Sequence, residues 1–198
     1  MKKIATLIIA IICATAVMAQ EVENSPMKRH EITGGIGLLS HTQIVTFLVD
    51  MVGTIVTGGL LMQMDSYNVL TPNLSYRYWF TDRYALGVGF AFDANSVRVR
   101  RQGETAENMT RYRRNFYTFA LENTFSYTRS SNFQLYGQLG LGATFISIPG
   151  NDYGIGRVPL FNMQITPLGM RIGRDYAGFM EFGYGYKGFI NAGFSARF

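Results

Sequence analysis

Cysteine is almost absent. Cys13 is the only one in 198 residues, and it falls in a leader-like segment, so the rest of the chain has no disulfide and no thiol chemistry. Charge is also scarce, at 16% against ~25% in ordinary soluble domains. Histidine occurs twice, as His30 and His41. No spacing of His, Cys, Asp or Glu suggests a metal site, and there is no phosphate loop or nucleotide motif. Downstream of the leader, no stretch has 18 consecutive apolar residues, which excludes membrane-spanning helices. A mean hydropathy of +0.07 agrees. What the chain does have is glycine, 22 in all, and aromatics at 14%, mostly Phe and Tyr.

Residues 1–19 have the three parts of a secretion signal. Lys2 and Lys3 are positive, Ile4 to Ile12 are apolar, and Val17 and Ala19 stand at −3 and −1 before Gln20. An uncleaved anchor is the alternative, but the apolar run is short of the ~20 residues a span needs. Ile11 and Ile12 before Cys13 fit a lipoprotein signal poorly. Residues 20–29 then form a short periplasmic segment, and 30–198 the main domain. Loss of Lys2 and Lys3 takes the formal net charge of +5 to +3. The pI of 9.4 is therefore weak evidence for an anionic partner, and nothing here asks for nucleic acid.

Apolar residues recur with a period of two, the signature of strands with one greasy face. In the last twelve residues, KGFINAGFSARF, Ile190, Ala192, Phe194, Ala196 and Phe198 alternate with Asn191, Gly193, Ser195 and Arg197. Seven more such stretches lie upstream: about Glu31–Leu39, Val69–Phe80, Tyr84–Arg100, Thr110–Tyr127, Phe133–Ile148, one beginning at Phe161, and one carrying Met180, Phe182, Tyr184 and Tyr186 outward. The sixth changes phase near Pro167, as a bulge would make it do. Short connections such as Thr81-Asp82-Arg83 alternate with longer ones such as Ser40 to Asn68. That asymmetry is expected of short periplasmic turns and long outer loops. The polar face is too poor in apolar residues to form a core. A soluble barrel would point its apolar residues inward, so the greasy face is expected to meet lipid. The expected fold is all-β: an eight-stranded antiparallel transmembrane barrel with an amphipathic helical insertion after strand one.

The segments EITGGIGLLS, FQLYGQLGLGATF and FNMQITPLGMRIG, the apolar insertion after the first, and the closing GFMEFGYGYKGFINAGFSARF resemble a known family. It is the small outer-membrane β-barrel family common in Bacteroidota, related in architecture to the OmpA and OmpX type. The resemblance spans nearly the whole chain after the leader. It implies the fold and an outer-membrane location in a Gram-negative cell envelope, and it does not imply one activity.

Three groups of residues are candidates for function. The first is the lumen, where parity places Glu31, Arg77, Asp93, Glu122, Arg171, Glu181 and Arg197 inward. Isolated buried charges are costly, so opposite charges at one height should pair. A plug centred on Arg77, Glu122, Arg171 and Glu181 is expected, with Arg171 beside Glu181. It either only satisfies the interior or acts as a gate.

The second group is Arg98, Arg100, Arg111 and Arg113, all at outward positions. A rise of ~3.3 Å per residue and a ~40° tilt put Arg98 about 35 Å above Tyr84, past the ~25 Å apolar band. These arginines suit lipopolysaccharide phosphates, or they form a solvated hairpin tip. The third is the insertion 41–58. Its apolar residues recur at i, i+3, i+4 and i+7, giving an interfacial helix, a lid over the mouth or a hairpin extension. Phe198, a terminal aromatic, is the expected assembly signal for the barrel-assembly machinery. His41 near Asp50 or Ser66 is the nearest approach to an acid–base pair, and enzymatic readings are poor. The expected role is a non-enzymatic outer-membrane protein, structural or surface-interacting, with a charge-plugged lumen and no cofactor. A narrow pore is the alternative.

Overall fold

Alternation becomes architecture in the computed structural model, which describes residues 28–58, 62–99, 110–128, 132–148 and 159–198. Among these residues are nine strands and one helix. The strands are β1 His30–Leu38, β2 Met62–Tyr67, β3 Leu70–Trp79, β4 Tyr84–Val99, β5 Thr110–Ser126, β6 Phe133–Ser147, β7 Leu160–Gly173, β8 Tyr176–Gly185 and β9 Ile190–Arg197. The helix is α1, His41–Val56. Residues 1–19, including the expected leader and Cys13, lie outside the described residues.

The ladder runs β4-β3-β1-β9-β8-β7-β6-β5 and closes through β5 onto β4, antiparallel throughout. β2 is not a ninth stave. It continues the line of β3 along the outer half of β4, pairing Met62 with Val99 and Tyr67 with Asn95, while β3 pairs Asn73 with Ala91 and Trp79 with Ala85. The chain is thus a closed eight-stranded antiparallel β-barrel with one helix after its first strand. The expectation that 40–68 is all connection is corrected at its end, where Met62–Tyr67 is strand.

Parity sorts the side chains as the pattern requires. Along β3 the burial alternates strictly, with Thr71, Asn73, Ser75 and Arg77 buried and Leu70, Leu74 and Tyr76 exposed. Pro167 sits in the expected irregularity: the β7–β8 register slips between Ile165 and Leu168. The Tyr127 hydroxyl donates to the Pro167 carbonyl at 3.0 Å, which supplies a partner to a carbonyl at the bulge.

One outward assignment fails. Tyr186 continues the parity of Phe182 and Tyr184, yet it is fully buried. β8 stops at Gly185, whose φ of 145° is open to glycine and strained for other residues. The chain turns inward there and carries Tyr186 and Lys187 into the lumen. At the other end the last residue is held in the ladder. Phe198 exchanges backbone hydrogen bonds with His30 at 3.0 and 3.1 Å and stacks on its ring at 5.6 Å.

Candidate functional site

The lumen holds its polar side chains in three tiers. The middle tier joins β3, β5, β8 and the β8–β9 turn. Arg77 reaches Glu181 at 3.0 Å and Gln138 at 3.2 Å, and its Nε faces Glu122 at 3.7 Å. Lys187 Nζ lies 2.7 Å from the other Glu122 oxygen. Hydroxyl and amide donors fill most of the shell: Tyr186 and Ser75 donate to Glu122 Oε1, and Tyr136 and Asn191 to Glu181, while Arg77 Nε and Glu122 Oε2 make no hydrogen bond. Two cations and two anions therefore balance in a site with almost no solvent. Buried charges are tolerated in that state, paired and with most of their remaining hydrogen-bonding capacity filled.

Space for this tier comes from glycine at the facing positions. A Cβ on Gly89 would lie 2.2 Å from Glu122 Oε1, so β4 can approach that carboxylate only without a side chain.

The lower tier joins β1, β3, β7 and β9. Glu31 accepts from Arg171 Nε at 3.1 Å, Arg197 at 3.0 Å and the Trp79 indole at 2.7 Å. The Arg197 guanidinium lies over the Trp79 ring, 4.7 Å from its centre, a cation–π arrangement. Arg171 also donates to Ser195 and to the Gly173 and Arg174 carbonyls, tying the β7–β8 turn to the interior.

The upper tier is the underside of α1. Ser40 caps the helix, accepting from Gln43 N at 3.2 Å while its own N–H donates to the Gln43 side chain at 3.1 Å. This reciprocal capping box also holds the helix to the barrel. Ser40 Oγ, Gln43 Nε2 and Thr71 Oγ1 all donate to Asp93 of β4. Further along, Thr42 accepts from Asn162 of β7, and Asp50 is bound by both terminal nitrogens of Arg114 of β5. The helix therefore lies across the mouth with its polar face down. Val45, Phe47, Leu48, Val52, Ile55 and Val56 are exposed.

Of the four residues expected in one plug, Arg77, Glu122 and Glu181 meet. Arg171 does not join them: Glu181 lies opposite Gly169, two residues from Arg171, and Arg171 turns to Glu31 instead. Lys187 was missed because it lies in a turn, where strand parity assigns no face. Arg98 and Arg111 face one another across the β4–β5 ladder, and Arg98, Arg111 and Arg113 are all exposed. Arg111 donates through Nε and NH2 to Ser96. Arg100 lies outside the described residues. His41 packs edge-on against Tyr184 at 5.5 Å, and Asp50 is occupied by Arg114.

No family model and no curated protein matches the sequence. Among solved structures, the N-terminal β-barrel domain of Pseudomonas aeruginosa OprF is similar with a TM-score of 0.47 and 12% identity, over 86% of this chain and 98% of that one. The attachment invasion locus protein Ail of Yersinia pestis, in complex with the heparin analogue sucrose octasulfate, gives 0.41 and 14% over 85% and 98%. A second structure of Ail gives 0.38 and 16% over 86% and 99%. The barrel assignment rests on the strand pairing of this chain itself.

Proposed function

We propose that this chain is a non-enzymatic integral outer-membrane barrel whose lumen is held shut and whose outer end contacts other surface molecules. The observation that carries the reading is the inversion of inside and outside. Leu121, Phe161 and Phe194 are 71%, 69% and 80% exposed, while Arg77, Glu122 and Glu181 are at most 2% exposed. A water-facing barrel would have the opposite arrangement, whereas a lipid-facing one needs this one. The lumen reading is supported by the paired buried charges of the middle tier and by α1 across the mouth.

Conductance of the purified barrel in a planar bilayer tests closure. The native chain is expected to be silent, and Arg77→Ala and Glu122→Ala to give small steps where the ion pairs are lost. Uniform steps from the native chain would overturn the closed lumen in favour of a narrow pore.

The outer arginines support a contact with lipopolysaccharide phosphates. Arg98 and Arg111 stand side by side in register and exposed near the outer end of the β4–β5 pair, and guanidinium groups suit phosphate oxygens. Replacing Arg98, Arg100, Arg111 and Arg113 with Gln should lower the lipopolysaccharide that co-purifies. An unchanged amount removes the contact. Phe198, held in the ladder beside His30, and the apolar face of β9 are the surface we assign to recognition by the barrel-assembly machinery.

A further inference from the structure

Inward positions are polar or small along most of the barrel, but at the outer end of three adjacent strands they become apolar. Phe116 of β5 and Ile146 of β6 are side by side in register, and Leu160 of β7 follows beside Thr144. These three face Val45 and Val49 on the first turns of α1. Between them lies a cavity of about 330 Å³, within the ~300–1,000 Å³ range of ligand sites. Its floor is polar but already satisfied: Asn162 donates to both Thr42 and Thr144, and Thr144 bonds Thr118. Its one cation, Arg114, is neutralised by Asp50 in a two-point pair. The cavity thus offers apolar walls and no net charge.

The cavity also opens sideways. β8 pairs with β7 only as far as Gln164, with one further backbone bond from Tyr186 to Met163. Among the described residues, no strand covers Leu160–Asn162 on that side. Two lining residues belong to the outer surface. Phe161 points outward, and His41 packs against the outward-facing Tyr184. Phe189 of the short β8–β9 hairpin packs on Tyr184, and Tyr184 on His41, so outward-facing rings lead to the cavity's rim.

We propose that this cavity binds one acyl chain of an outer-leaflet lipid, which enters laterally between α1 and the uncovered edge of β7. The inference rests on the membrane reading above. Continuity with the lipid-facing surface argues for a chain from the surrounding bilayer. The absence of net charge argues against a free fatty acid, whose carboxylate would lack a counter-ion.

The test uses the full chain folded into phosphatidylcholine vesicles doped with a phosphatidylcholine carrying a diazirine in its acyl chain. Irradiated protein is digested and the adducts are located by mass spectrometry. Adducts are expected on the outer belt, at Leu139, Leu141 or Phe182, and also on the inward Phe116 and Thr144. Two substitutions fill the cavity: Val49→Trp from the exposed helix, and Ile146→Trp from the wall. Each should cut inner labelling about tenfold, the loss that follows when ~2 methylenes lose burial. Belt labelling should stay unchanged, which reports that the barrel is still folded and inserted. A labelled belt with unlabelled inner positions overturns the acyl site and leaves the membrane reading standing. Inner adducts that survive both substitutions also overturn it. An unlabelled belt overturns both readings together. A free fatty acid recovered from the purified protein, with inner positions unlabelled by phospholipid, overturns the proposed source.

Discussion

Lys187 is 1% exposed, yet it follows the outward-reading run Met180, Phe182, Tyr184, Tyr186. Its placement depends on a backbone turn at Gly185, and alternation cannot show where alternation stops. The inward strand charges Arg77, Glu122 and Glu181 were legible because parity is a property of the strand. Their pairing was not, since it depends on stagger around the barrel as well as on parity. Lys187→Met removes one of two cations facing Glu122 and leaves Arg77 to serve both Glu122 and Glu181. Breaking a buried pair from one side costs about 3–5 kcal/mol, to be read from urea unfolding in lipid vesicles. Adding Glu122→Gln should recover much of that loss, because the uncompensated anion is gone. Equal loss in the single and double variants would mean that Lys187 acts through packing alone. Gly89→Ala tests the same site from β4. Its new Cβ would be 2.2 Å from Glu122 Oε1, so the carboxylate must move off its partners and the unfolding midpoint should fall.

At the scale of elements, α1 separates what periodicity can and cannot determine. The expected 41–58 agrees closely with the observed His41–Val56, because the 3.6-residue repeat is a local signal. Which face meets the barrel is not local. It follows from Asp93, Thr71, Arg114 and Asn162, residues distant in sequence that line the mouth and need partners. β2 escaped the reading for a related reason. It is six residues long, and Asn68 and Val69 part it from β3, so it joins the second stave only through its pairing with β4. Ser40 is the point at which cap and latch coincide. Ser40→Ala removes a cap, worth about 1 kcal/mol, and one of three side-chain donors to a buried carboxylate, worth about 1–3 kcal/mol. Amide exchange of residues 41–56 should accelerate by about 1.5 to 3 orders of magnitude, while the β1 and β9 amides stay protected. Unchanged protection of α1 would mean that the Asp50–Arg114 pair alone holds the helix to the barrel.

For the whole molecule, the apolar surface and the polar interior form one argument about solvent, and the chain's single tryptophan makes it measurable. Trp79 is 1% exposed and points into the lumen, where its indole donates to Glu31 and lies beneath Arg197. Leu121 is central on β5, in register with Val88 and Leu141 on its two neighbours, and it faces away from the lumen. In vesicles whose acyl chains carry bromine, a contact quencher, native Trp79 emission should be nearly unaffected. Leu121→Trp keeps the outward apolar character of the site, so it should add a second emission that the brominated chains remove. A barrel that kept water on its outside would show the reverse: Leu121→Trp unquenched by bromine and open to aqueous iodide. The two tryptophans lie on opposite sides of a single wall, so their contrast reports which side is lipid, whatever the lumen or the loops go on to do.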